Sequence, residues 1–286
     1  VHDQSLRLLN QGYTVAEIGE MVKLPQSLTQ EWYNHGYYGT VSHDAKAVYQ
    51  RYMGWYTGNP AELFPLPPVE TAKHTMEFMG GVPAVIQKAR DAYAKGEYRW
   101  VAQVMNLAVY ADPSNQEAKN LEADALEQIG YQAEAGTWRS AYLMGAFELR
   151  NGIPKVPAVQ AASPDTIRAM TPQMVLEFLS MHIDGDKATG KSATINWQFP
   201  DAHQKYLVSL ENSVLVYTEG REAANADVTV IMPKQSLDNI MLRQTTLDKE
   251  VQAGRVQIKG DRDRLSDLLT SLDSFDPLFP IVTPRP

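Results

Sequence analysis

Apolar positions along this chain keep two rhythms, a helical one first and a strand-like one later. From residue 1 to 24 they fall at Leu6, Leu9, Tyr13, Ile18 and Val22, broken by Gly12 and then the run Thr14 to Glu17. A helix stop followed by a Thr-x-x-Glu capping box predicts two short helices set at an angle. Pro25 opens another turn, and residues 26–33 read as helical up to Gly36. Residues 63–69 carry Pro65, Pro67 and Pro68, a stiff connector that cannot continue a helix, so a boundary is expected near residue 65. Between 82 and 150 the helical period predicts four helices in two antiparallel pairs, at about 82–95, 97–111, 115–129 and 132–150. Gly96 and Gly130 separate the members of each pair, and residues 112–115 supply the central turn and helix cap.

The spacing Ala89, Tyr93, Gly96, Tyr98, Ala102, Ala108, Pro113, Ala118 is similar to one tetratricopeptide-type unit, in which small residues let helices approach closely. One unit is too little for a solenoid, so its apolar stripe should be covered by a catalytic domain or a second copy of the chain. Residues 153–164 hold three prolines and read as a second linker. Beyond it a helix at about 171–183 leads into two-fold alternation over 193–199, 206–211, 214–218 and 228–232, with Asn212 and Ser213 as a hairpin turn. Helical segments at 234–242 and 246–253, a short strand at 256–258 and a helix at 261–272 follow. Strands first and helices later predict an α+β domain with antiparallel pairing.

Composition narrows the functions open to such a chain. Thirteen basic and seventeen acidic residues lie in 1–162, and the same numbers lie in the rest of the 286 residues, giving a net charge of −8. Neither half is a basic nucleic-acid binder. With no cysteine, thiolate nucleophiles, disulfides and cysteine-ligated metals are excluded. No stretch approaches the roughly 20 apolar residues of a membrane helix. The chain opens on Val1 with no initiator Met or signal pattern, and is expected to be a fragment of a longer protein. The six histidines, His2, His35, His43, His74, His182 and His203, are at least eight positions apart, so no short zinc motif is present.

Candidate chemistry concentrates in residues 35–60, where Tyr37, Tyr38, His43, Tyr49, Tyr52, Trp55 and Tyr56 alternate with Gly36, Gly39, Gly54 and Gly58. Such a stretch suits a pocket wall or an interdomain packing surface, and burial is the commoner use of large aromatics. His35 and His43 flank Tyr37 and Tyr38 and precede Lys46, which gathers imidazole, phenol and ammonium donors able to bind an oxyanion or protonate a leaving oxygen. The late helices carry Met241, Leu242, Leu247, Val251, Leu265 and Leu268, which read as core or as the wall of an apolar tunnel for an alkyl or acyl chain.

Three runs go further: VHDQSLRLLNQGYTVAEIGEMVKLP, HGYYGTVSHDAKAVYQRYMGWYTGNPAEL and LEADALEQIGYQAEAGTWRSAYLMGAFELRNG. They resemble the part of linear and secondary alkyl sulfatases that follows the metallo-β-lactamase-type catalytic domain, and the likeness covers essentially the whole chain. It implies that residues 1–65 are a helical segment completing the catalytic domain. Residues 66–155 would then be a helical dimerisation domain, and 163–286, closing on VQIKGDRDRLSDLLTSLDSFDPLFPIVTPRP, a sterol-carrier-protein-like antiparallel sheet with helices. It further implies a homodimer hydrolysing alkyl sulfates of the detergent type in a bacterial periplasm or outside the cell. Two zinc ions would be held by a catalytic domain lying before Val1, with no metal in this chain. His35 and His43 become catalytic candidates, and Tyr37, Tyr38, Lys46 and Tyr49 candidates for the sulfate end of the pocket. A free-standing carrier of amphiphiles and a purely structural dimerisation scaffold are the alternatives.

Overall fold

A computed structural model describes residues 1–155 and 163–285. The chain divides into two compact units: Val1–Lys155 with Leu278–Pro286, and Val156–Pro277. The linker expected at 153–164 lies mostly outside the described residues.

The first unit is helical. Its opening helices α1 (His2–Leu9) and α2 (Val15–Met21) flank Gly12, and the capping box forms as the sequence predicts, with the Thr14 amide donating to Glu17 Oε2 at 2.8 Å. After the short α3 (Gln26–Thr29) comes α4 (Val41–Met53), a helix that the aromatic and glycine content of this stretch conceals. Thr40 caps it by accepting from the His43 amide, and Gly54 ends it at positive φ. Leu8, Ile18, Val22, Ala45 and Tyr49 form a small core among α1, α2 and α4.

Pro68 then occupies the first position of α5 (Pro68–Phe78), where its missing N–H costs nothing. The predicted four helices follow as α6 (Val82–Ala94), α7 (Tyr98–Ala111), α8 (Gln116–Gln132) and α9 (Gly136–Asn151). Ala89, Ala108 and Ala118 are buried in their shared core, and Tyr93 meets Tyr98 edge-on at 5.0 Å. The closing segment from Leu278 returns to these helices: Glu148 Oε1 accepts from the amides of Ile281 (2.8 Å) and Val282 (3.2 Å). Gly145 makes room for it, since a Cβ there would stand 3.3 Å from Val282 Cγ1.

The second unit sets α10 (Pro164–Ala169), α11 (Pro172–Met181) and α12 (Gly185–Ala188) before β1 (Ala193–Phe199), β2 (Gln204–Glu211), β3 (Val214–Glu219) and β4 (Val228–Ile231). Helices α13 (Lys234–Met241) and α14 (Leu247–Gln252), strand β5 (Gln257–Gly260) and α15 (Arg262–Thr270) complete it. Sheet order is β3-β2-β1-β4-β5. Three ladders are antiparallel, as expected, but β1 and β4 run parallel with Ile195 beside Val228, so the sheet is mixed. Asn212 and Ser213 both take positive φ in the β2–β3 hairpin, the geometry of a twisted two-residue turn. Trp197, Phe199, Tyr206, Val208, Leu265 and Leu268 belong to the core.

Candidate functional site

The segment from His35 to Thr40 is pinned by a part of the chain about a hundred residues away. Gly136 N donates to the Tyr37 carbonyl at 2.8 Å, and Thr137 Oγ1 donates to the Tyr38 carbonyl at 2.5 Å. His35 Nδ1 meets Glu134 Oε1 at 2.8 Å, and Trp138 Nε1 donates to His43 Nδ1 at 3.3 Å. The loop needs glycine for this course, because a Cβ on Gly36 would lie 2.6 Å from the Gly39 carbonyl oxygen. Beside it opens a cavity of about 790 Å³ whose lining includes Thr29, His35, Gly39, Thr40, Glu134 and Trp138.

The two candidate histidines differ in what their rings touch. His35 Nε2 faces the Thr29 carbonyl at 3.2 Å, so both ring nitrogens stand against oxygen acceptors, and the ring stacks on Tyr37 with centroids 5.8 Å apart. The hydrogen bond that His35 donates to Glu134 raises its pKa above the usual value, with burial opposing and the Thr29 carbonyl adding to the rise. His43, exposed on the first turn of α4, receives the indole N–H and meets the Trp138 ring edge-on at 6.1 Å.

The structure thus brings His35, Tyr37, Tyr38 and His43 together around the start of α9, with Tyr37 and Tyr38 exposed. Lys46 sits one turn further along α4, its stem close to Gly19, where an added Cβ would meet Lys46 Cε at 2.4 Å. Tyr49 is 4% exposed within the α1–α2–α4 core, away from the loop carbonyls. Glu134, Gly136, Thr137 and Trp138 carry no local signal in the sequence, since what marks them is their contact with residues 35–43.

Metal chemistry finds no anchor in this arrangement. Among the described residues no group of three or more His, Asp or Glu side chains could hold an ion. His2 pairs with Asp3, and His182 stacks between Phe178 and Phe275 with its Nδ1 2.7 Å from the Asp273 carbonyl. A dinuclear zinc centre does not fit these side chains. No helix among the described residues is long and apolar enough to cross a membrane.

The helical unit, with its histidine and tyrosine loop pinned to α9, is followed along the chain by an α+β unit built on a mixed five-stranded sheet. Family models sharpen this: alkyl sulfatase dimerisation matches residues 14–152 and alkyl sulfatase C-terminal matches 160–284. The chain belongs to the alkyl sulfatase family, whose dimerisation and C-terminal regions it carries. It is 49% identical, over 99% of its length, to a linear primary-alkylsulfatase of Pseudomonas sp., and 46% identical to the alkyl/aryl-sulfatase BDS1 of Saccharomyces cerevisiae. These alignments cover 42% and 44% of the relatives, so the chain spans less than half of their length. The solved structure of the stereoselective inverting sec-alkylsulfatase Pisa1 from Pseudomonas sp. superposes with a TM-score of 0.95 at 44% identity, covering 99% of this chain and 45% of that one.

Proposed function

We propose that this chain is the C-terminal portion of an alkyl sulfatase, serving hydrolysis of alkyl sulfate esters that takes place on a zinc-holding catalytic domain outside it. The observation that carries the reading is identity of 44–49% to alkylsulfatases over 99% of the chain. Residues 1–65 complete the catalytic pocket, 66–155 pair two copies of the protein, and 163–286 gather amphiphilic substrate. Pairing is supported by the exposed apolar side chains of Tyr131, Met144 and Phe147 in the family's dimerisation region. The gathering role is supported by exposed Met174, Phe178, Met181 and Phe275. An alkyl tail gains about 0.8 kcal/mol per buried CH₂ on such surface without polar contacts.

In this reading the loop from His35 to His43 offers N–H and phenol donors to the sulfate group, and zinc held by the domain outside this chain would supply the activated water. The chain alone is expected to leave dodecyl sulfate intact. In the intact enzyme, His43→Ala is expected to lower turnover strongly; unchanged turnover in both His35→Ala and His43→Ala would remove the loop from the pocket. Sedimentation of the chain as a concentration-independent monomer would remove the pairing role.

A further inference from the structure

The four contacts made by residues 134–138 do more than tether a loop, because two of them reach imidazole nitrogens and so decide where protons sit. A carboxylate and a peptide carbonyl accept; neither donates. With Glu134 Oε1 at 2.8 Å from Nδ1 and the Thr29 carbonyl at 3.2 Å from Nε2, both His35 nitrogens must carry protons for both bonds to exist. Its charged partner is Glu134; the neighbouring Arg139 is engaged with the Ala133 carbonyl at 3.1 and 2.7 Å and the Glu134 carbonyl at 3.4 Å. His43 is the opposite case. An indole N–H can only donate, so the 3.3 Å bond from Trp138 requires a bare Nδ1 and leaves the ring proton on Nε2.

We propose that residues 134–138 are a positioning segment: Glu134 holds His35 as a doubly protonated pin, and Trp138 holds His43 in the Nε2–H tautomer, presenting that N–H outward. The division of labour follows from valence. His35 has no N–H left for a ligand, whereas His43 has one, its place on the ring set by the Trp138 indole that donates to the other nitrogen. Rigid placement of such a donor is what oxyanion binding requires, and a tautomer fixed from behind is the usual means. The segment runs from the α8–α9 turn into the first turn of α9, in the region matched by the dimerisation model, so the helix pair of that region also sets the loop's protons. Which donor faces sulfate rests on the function proposed above; the assignment of protons does not.

The test is ¹⁵N NMR of histidine ring nitrogens in this 286-residue chain. At neutral pH the expected spectrum shows His35 protonated at both nitrogens and His43 protonated at Nε2 alone. Trp138→Phe should mix the two His43 tautomers and leave His35 unchanged, and Glu134→Gln should bring the His35 titration to lower pH and leave His43 unchanged. Finding His43 protonated at Nδ1 in the unsubstituted chain, or a tautomer indifferent to Trp138→Phe, overturns the proposal, and the first of these needs no variant to fold. Inorganic sulfate added to the unsubstituted chain separates the two ideas. A shift at His43 Nε2 supports both; expected tautomers with no sulfate response support the positioning segment and leave the sulfate reading without its site.

Discussion

Each unit of this protein buries one glutamate almost completely, and the two carboxyls live in opposite chemical states. Glu122, on α8 of the helical unit, is 2% exposed, with Oε1 accepting from Asn106 at 3.1 Å and no hydrogen-bond partner for Oε2. Burial pushes its pKa up to about 8, against the pull of Asn106. Glu250, on α14 of the sheet unit, is 1% exposed but gripped by Arg255 through two bonds of 2.7 Å and by Ser236 at 2.8 Å. The Arg255 hydrogen bonds hold it down at about 2, overcoming its desolvation. Burial alone therefore says nothing about charge: the partner supplied by the neighbouring side chains decides it.

The largest expected effect is the pH slope of the helical unit. Between pH 4.5 and about 8 the folded state keeps a Glu122 proton that the unfolded state releases, so stability falls as pH rises. Over that window the loss is about 5 kcal/mol, at about 1.4 kcal/mol per pH unit. Glu122→Gln should abolish the slope, read by hydrogen exchange of α7 and α8 amides between pH 5 and 8. An unchanged slope would mean that Glu122 is ionised in the folded protein.

Next comes Arg255→Ala, which would turn Glu250 into a second Glu122. The native pair contributes stability above pH 4.5 that is lost as pH falls toward 2, so the intact sheet unit should weaken in acid while the helical unit does not. The variant should lose stability at pH 7 well beyond the effect of an exposed ion pair, and its pH dependence should reverse, the sheet unit regaining stability as pH falls from 7 to 5 and Glu250 takes up a proton. Urea unfolding at pH 3, 5 and 7 reads both.

The smallest effect concerns the closing segment. Glu148→Ala removes the acceptor shared by the Ile281 and Val282 amides and should cost about 1 kcal/mol. Faster exchange at those two amides, with the sheet unit unaffected, is the expected signature.

Local rules made much of this fold legible. The Thr14–Glu17 box, the Pro68 start of α5, the four helices from Val82 to Asn151 and the Asn212–Ser213 turn all follow from side chains within a few positions of one another. What escaped depends on distant partners. Helix α4 is hidden because His43, Tyr49 and Tyr52 read as pocket or packing aromatics until Thr40 and Gly54 are seen capping them. The parallel β1–β4 ladder pairs Ile195 with Val228, and hairpin logic reaches only the next strand. Asn196, a polar position between Ile195 and Trp197 in β1, is buried, and its side-chain amide exchanges two hydrogen bonds with the Ala223 backbone. At the candidate site the histidines and tyrosines were visible as a cluster, but the residues that fix their protons, Glu134 and Trp138, declare themselves only in three dimensions.

The return of the last residues to the helices has a topological consequence. In the order of the chain the sheet unit, Val156–Pro277, is an insertion within the helical one, Val1–Lys155 with Leu278–Pro286. A single protease nick between the units is therefore expected to leave the carboxy-terminal fragment held to the helices by residues that include Ile281 and Val282, as a latch keeps a door closed after one hinge is cut.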